Sequence, residues 1–151
     1  MGQKVNPIGL RLGISRTWNS KWFAGKDYAS HLKQDLDIQK FVKARLKHAA
    51  ISKIEVERTA KKTKVNIFSA RPGIIIGRKG DEVERLKNEL SKLNPHDVVI
   101  NIKEIKRPEI DATLIAENIA SQLERRIAYR RAVNRSIQAA MRMNIAGCKV
   151  M

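Results

Sequence analysis

The sequence is poor in several things, and each shortage removes a class of protein. It holds one cysteine in 151 residues, Cys148, so no internal disulfide can form. A reducing, cytoplasmic compartment is therefore expected, with Cys148 read as a small buried hydrophobe. No stretch approaches the roughly 18 consecutive apolar residues of a membrane span. Residues 1–10 lack the apolar core and cleavage-like site of a secretory leader, so none is expected. Three histidines, His31, His48 and His96, stand too far apart for metal-ligand spacing, and no metal or other cofactor is expected. No Walker-type phosphate loop is present, which excludes a GTPase or an ATP-driven helicase.

Acidic residues are the most telling shortage. Thirty-one Lys and Arg face fifteen Asp and Glu, leaving a formal net charge of +16. A compact fold tolerates such self-repulsion when its partner is a polyanion, and nucleic acid is the leading class. The ends carry the imbalance. Residues 1–26 hold five bases (Lys4, Arg11, Arg16, Lys21, Lys26) and residues 125–151 hold seven, neither with an acid. Residues 51–105 carry twelve bases against eight acids. A nearly balanced folded module with two basic flanks suits a protein that grips RNA at several places.

With 42% hydrophobic residues, the chain can bury a core. Residues 1–26 read as an arm, because Gly2, Pro7, Gly9, Gly13 and Gly25 interrupt any helix, while Trp18, Trp22 and Phe23 offer anchors. The two tryptophans are expected to pack against the domain rather than stack on bases. Tyr28 and Leu32 predict a short helix. Asp37 reads as the N-cap of a second, carrying Ile38, Phe41, Val42, Leu46 and Ala49 on one face and ending near Ala50.

Ile54, Val56 and Arg58 alternate with Lys53, Glu55 and Glu57, and Val65 and Ile67 with Lys64, Asn66 and Phe68, which predicts a hairpin with one buried face. Arg71-Pro72-Gly73 stops its second strand. Ile74-Ile75-Ile76 runs into Gly77-Arg78-Lys79-Gly80. A helix follows, with Val83, Leu86, Leu90 and Leu93 in step and Asp81, Glu82 and Glu84 in its first turn. Asn94-Pro95 ends it, and Val98, Ile100 and Ile102 form a third strand. Beyond Pro108, apolar residues from Leu114 through Ile119, Leu123, Ile127, Val133, Ile137 and Met141 predict either one long helix or two broken near Tyr129. Gly147 is expected to terminate it, with residues 149–151 beginning a strand.

From Asp37 to Ile105 the order is helix, strand, strand, helix, Gly-x-x-Gly, helix, strand. That is the order required by a K-homology (KH) domain of the second topological type, an α+β fold. The domain organisation expected is a basic arm at 1–26, the RNA-binding KH domain at 27–106, and the helical part of an incomplete second α+β domain at 107–151. Two glycines allow a sharp turn and let the backbone approach a phosphate without a Cβ in the way. Gly80 precedes a helix whose free amides attract anions, and Arg78 and Lys79 add charge. In such domains the loop clamps about four single-stranded nucleotides. A plain turn with solvated charges fits the same four residues equally well.

Three segments carry a resemblance to a known family. The opening Met-Gly-Gln-Lys-Val-Asn-Pro-Ile-Gly-Leu-Arg-Leu-Gly-Ile, the run from Ser69 to Gly80, and Ser121-Gln-Leu-Glu-Arg-Arg126 with Tyr129-Arg-Arg131 together closely resemble the third protein of the bacterial small ribosomal subunit. The likeness runs end to end. It implies a seat in the head of the small subunit, on 16S-type ribosomal RNA, beside the tenth and fourteenth small-subunit proteins. It also implies a share in lining the channel by which messenger RNA enters, with Arg130, Arg131 and Asn134 touching the strand. Asn134 departs from the family, where a lysine stands, and an amide holds a phosphate more weakly than an ammonium. Neighbouring Arg135 partly compensates. In the arm, Lys4, Arg11, Arg16 and Lys21 are the expected RNA contacts. The family continues past residue 151 with strands that complete the second domain, so this chain is expected to be a piece of a longer one.

Competing classes fare worse. A nuclease or lyase needs paired carboxylates on a metal, or a base beside a nucleophile. Glu104, Glu109 and Asp111 are the only such group outside first helical turns, and interleaved Lys106 and Arg107 make them read as a salt-bridged linker. No catalytic residue is assigned. A KH regulator acting off the ribosome would not need the acid-free arm. A membrane-surface helix would need large aromatics opposite Arg125, Arg126, Arg130, Arg131 and Arg135, and they are missing.

Overall fold

The computed structural model describes residues 2–59, 62–77, 80–94 and 96–151. The hairpin forms as its alternation predicts, with strand β2 (Ile51–Arg58) antiparallel to β3 (Lys62–Ser69). Strand β4 (Asp97–Glu104) lies parallel to β3. Facing pairs Ile54–Ile67 and Val56–Val65 put β-branched side chains opposite each other. A bulge between Ile51 and Lys53 resets the side-chain parity, so that Ile51 and Ile54 both point into the core.

One face of this sheet is covered by three helices: α2 (Tyr28–Arg45), α3 (Pro72–Ile76) and α4 (Asp81–Leu93). Ile38 and Val42 of α2, Ile75 of α3, and Leu86 and Leu90 of α4 meet Ile51, Ile54, Val65, Ile67 and Val98 in one cluster. Burying an aliphatic side chain of this size contributes about 1.5–3 kcal/mol. This is the α+β arrangement of a type II KH domain.

Several local expectations are corrected. The glycines and Pro7 do not keep the arm free of helix. A short helix, α1 (Pro7–Arg11), forms because the Asn6 side chain accepts from the Ile8 and Gly9 amides and Pro7 occupies the first turn. Further on, β1 (Ser20–Lys21) joins the sheet parallel to β2, giving the order β1-β2-β3-β4. Asp37 caps nothing. It is exposed in the middle of α2, which runs unbroken because no Gly or Pro interrupts it. The helix stops at Arg45, a 3-10 turn spans Lys47–Ala49, and Ala50 takes the left-handed conformation at φ 52°.

Beside Ile38 and Val42, α2 also turns a charged side chain inward, Asp35, which is fully buried. Its Oδ1 accepts from Arg58 Nε at 2.7 Å and pairs with Arg58 Nη2 at 2.6 Å. Its Oδ2 accepts from the Trp22 indole N–H at 2.6 Å. Arg58 also donates to the Gln34 side chain and the His31 carbonyl. Trp22 packs on Tyr28 and edge-on against His31, as expected of an anchor, whereas Trp18 is exposed.

Past the sheet, a 3-10 turn at Pro108–Ile110 leads to α5 (Ala112–Glu124) and α6 (Tyr129–Met141), two helices separated at Arg126 with φ 62°. The face of α6 that packs inward is Ala132, Ser136 and Ala140, not the expected row of Val133, Ile137 and Met141. Small side chains allow close approach, and Val133 and Ile137 are left half-buried at its edge. The helix ends at Met141, with Asn144 rather than Gly147 supplying the left-handed residue. Residues 149–151 pair with no strand.

Because Asp35 and Arg58 are both buried, removing one strands the other's charge. Asp35→Ala is expected to cost about 3–5 kcal/mol in urea unfolding, far more than Asp37→Ala on the exposed side of the same helix. A second test concerns Glu55, buried on the other face of the sheet. Burial pushes its pKa up, but hydrogen bonds and charge from Lys53 and Lys21 outweigh that and leave it below the ordinary glutamate value. A lowered folded-state pKa gives stability that is present above the unfolded value and lost as pH falls through the folded one. The stability advantage of the wild type over Glu55→Gln is therefore expected to shrink below the usual glutamate range, as read by unfolding midpoints across pH.

Candidate nucleic-acid interface

Three groups of basic residues were expected to touch RNA, and the fold sets them on different elements. The first is the Gly77–Gly80 turn between α3 and α4. Arg78 and Lys79 lie outside the described residues, but both glycines are defined. Gly77 ends α3 at φ 68° and Gly80 begins α4 at φ 90°, a region that side chains other than glycine's resist. No side chain caps α4, so its leading amides face the turn unpaired within the helix. Asp81, Glu82 and Glu84 in that first turn stabilise the helix end and also oppose an anion there, a repulsion that the two charges at 78 and 79 offset only in part.

Glu82 has a further role that spacing did not reveal. A Cβ placed on Gly77 would lie 2.7 Å from Glu82 Cγ and 3.0 Å from its Cβ, whereas one on Gly80 would meet nothing within 4 Å. The turn is thus seated on the stem of Glu82, whose carboxylate reaches Arg85 at 3.5 Å.

The second group lies on α6. Arg130, Arg131, Asn134 and Arg135 are all exposed. At about 100° per residue they fan over one side of the helix, nearly opposite Ala132, Ser136 and Ala140. Arg130 donates to the Tyr129 hydroxyl at 3.0 Å and lies 5.7 Å from its ring, which holds that guanidinium outward. The helix contains no acid, so nothing within it neutralises the stripe.

The third group is the arm, and here the fold divides the expected residues. Lys4, Arg11 and Arg16 are exposed. Arg11 donates to the Pro7 carbonyl at 2.8 Å. Lys21, in β1, is paired with Glu55 at 3.0 Å and helps fasten the arm to the sheet. Around Glu55 the face of the sheet opposite α2–α4 carries a polar ladder, in which Asn101 donates to Asn66 and Asn66 to Glu57, while the Lys103 ammonium sits 5.1 Å from the Phe68 ring centre.

The linker is not salt-bridged as expected. Among the described residues, Glu104, Glu109 and Asp111 form no ion pair. Asp111 instead caps α5 through the Thr113 and Leu114 amides and accepts from the Ser52 hydroxyl. No group of three or more metal-ligating side chains occurs among the described residues.

Both glycines hold a positive φ that would strain an alanine, but only Gly77 is also crowded. Gly77→Ala is therefore expected to destabilise by about 1–3 kcal/mol and by more than Gly80→Ala. Urea midpoints for the two variants check the order.

The KH domain family model matches residues 37–110. The small ribosomal subunit protein uS3 of Geotalea uraniireducens (strain Rf4) is 57% identical over 150 residues, which is 99% of this chain and 71% of that protein. The protein of the same name from Gluconobacter oxydans (strain 621H) is 55% identical over 150 residues, covering 99% and 67%. That from Desulfatibacillum aliphaticivorans is 55% identical over 152 residues, covering 100% and 69%. With identity of this level across the arm, the KH domain and both following helices, the chain belongs to the small ribosomal subunit protein uS3 family.

Proposed function

We propose that this chain is a non-catalytic, structural component of the small ribosomal subunit in the cytoplasm, holding ribosomal RNA through its KH domain and basic flanks. The observation that carries this reading is that identity to the uS3 proteins extends beyond residues 37–110 in both directions. A regulator acting off the ribosome needs the module alone, and that alternative has no use for the flanks.

Within this role, Gly77, Arg78, Lys79 and Gly80 hold RNA backbone, and Lys4, Arg11 and Arg16 extend the grip along the arm. Arg130, Arg131, Asn134 and Arg135 contact the incoming messenger RNA strand. What supports the last assignment is an exposed stripe with no acid on its helix, facing away from the packed side. Any unwinding is passive, by holding single strands. The tenth and fourteenth small-subunit proteins are the proposed neighbours.

Sedimentation of the tagged protein from lysate through a sucrose gradient tests the assignment. Migration with the small subunit that survives high salt is the expected result, and recovery at the top of the gradient would overturn it. For the α6 stripe, Arg130→Ala with Arg131→Ala is expected to slow translation of structured messages several-fold more than unstructured ones. Equal slowing of both would remove these residues from strand handling.

A further inference from the structure

Between the arm and the linker lies a cleft that the three expected groups do not include as a unit. Its walls bring Arg11 and Arg16 of the arm together with Lys53 of β2 and with Lys106 and Arg107, which follow β4. These residues are far apart in sequence and meet because β1 draws the arm alongside β2 while the linker crosses the end of the sheet. We propose that this cleft is a second RNA-backbone site, separate from the Gly77–Gly80 turn, which takes the phosphates of folded RNA and so clamps the arm to the linker. The proposal deepens the ribosomal RNA reading and rests on it.

Charge is the first support. Among the described residues, Arg16, Lys106 and Arg107 are exposed and have no ion-pair partner, and Arg11 makes only its carbonyl contact. Lys53 is the exception, held by Glu55 at 2.6 Å. The single acid in the lining, Asp111, has both carboxylate oxygens engaged, one by the α5 amides and one by Ser52. Four cations thus converge with little to offset them, a costly arrangement unless an anion fills it.

Donor chemistry is the second. Three of the four are arginines, whose planar guanidinium offers paired donors to phosphate oxygens. Thr17 and Asn19, also in the lining, are of the kinds that add neutral contacts to phosphate and sugar. Cations on two separate chain segments suit a folded backbone, where phosphates from different turns stand at fixed spacing. An acidic protein segment is the other polyanion that could enter.

The test uses the full chain with two probes, a short RNA hairpin and single-stranded oligouridylate, each titrated at several salt concentrations. Arg16→Glu, Lys106→Glu and Arg107→Glu are combined, with the milder Arg16→Gln, Arg107→Gln pair as a second variant in case reversal of charge impairs folding. A control reverses Lys33, Lys40 and Lys43 on the exposed side of α2. The expected result is at least about tenfold weaker hairpin binding by the triple variant, with the slope of log affinity against log salt shallower by about two to three. The paired Gln variant should lose about half of that slope change, the α2 control less, and oligouridylate binding should hold. Unchanged hairpin affinity and slope in a folded variant would overturn the cleft while leaving the RNA reading intact. Wild-type protein that binds neither probe would overturn both. Displacement of the hairpin from wild type but not from the triple variant by polyglutamate, with slopes equal in the two, would assign the cleft to an acidic protein instead.

Discussion

The arrangement of this protein depends on one buried charge pair. Asp35 and Arg58 sit under the sheet edge with almost no exposure, and neither could be there alone. Their mutual attraction offsets a desolvation cost of several kcal/mol per ion only because the remaining donors and acceptors are also matched. Trp22 serves one carboxylate oxygen, and Gln34 and the His31 carbonyl serve the guanidinium. The network therefore ties three parts of the chain at once: the arm, the long first helix of the KH domain and the end of β2.

From that tie the positions of the basic surfaces follow. With Trp22 held, β1 is brought to β2, and the Val56 amide donates to the Asn19 carbonyl at 2.8 Å. Lys21 then reaches Glu55, and the preceding residues are carried past Ser52 and Lys53 towards the linker. The KH turn lies on other elements, α3 and α4, and the α6 stripe on a third. Separate surfaces on one rigid frame suit a protein that must hold several parts of a large folded RNA, since each contact restricts the others.

Much of this was legible in the sequence, for definite reasons. Alternation over 53–58 and 64–68 predicts paired strands, and the glycines at 77 and 80 sit where left-handed backbone is needed. The resemblance carried the family. What escaped was tertiary. Asp37 looks like a cap because local rules reward an Asp before an apolar row, yet nothing interrupts the helix there, and the acid with a buried partner is Asp35, which faces Arg58. Alternation puts Arg58 in the row of Ile54 and Val56, but it does not name Asp35 as the counter-charge. Glu82 under Gly77 is likewise a contact that spacing cannot show. On α6 the large apolar residues point to the wrong side, because close helix contact selects Ala and Ser.

The parallel pairing of β1 with β2 bears on how the chain is made. Synthesis delivers the arm first, but its docking partners are Asp35, Glu55 and Val56. Until residue 56 has left the exit tunnel, the carbonyl of Asn19 and the ammonium of Lys21 lack their partners, and the residues before Trp22 trail as an acid-free segment. A nascent chain in this state offers a basic stretch without acids to any RNA within reach before the frame that orients it has closed. The short helix at Pro7–Arg11, capped from within by Asn6, needs no such partner and is the part of the arm able to form at once.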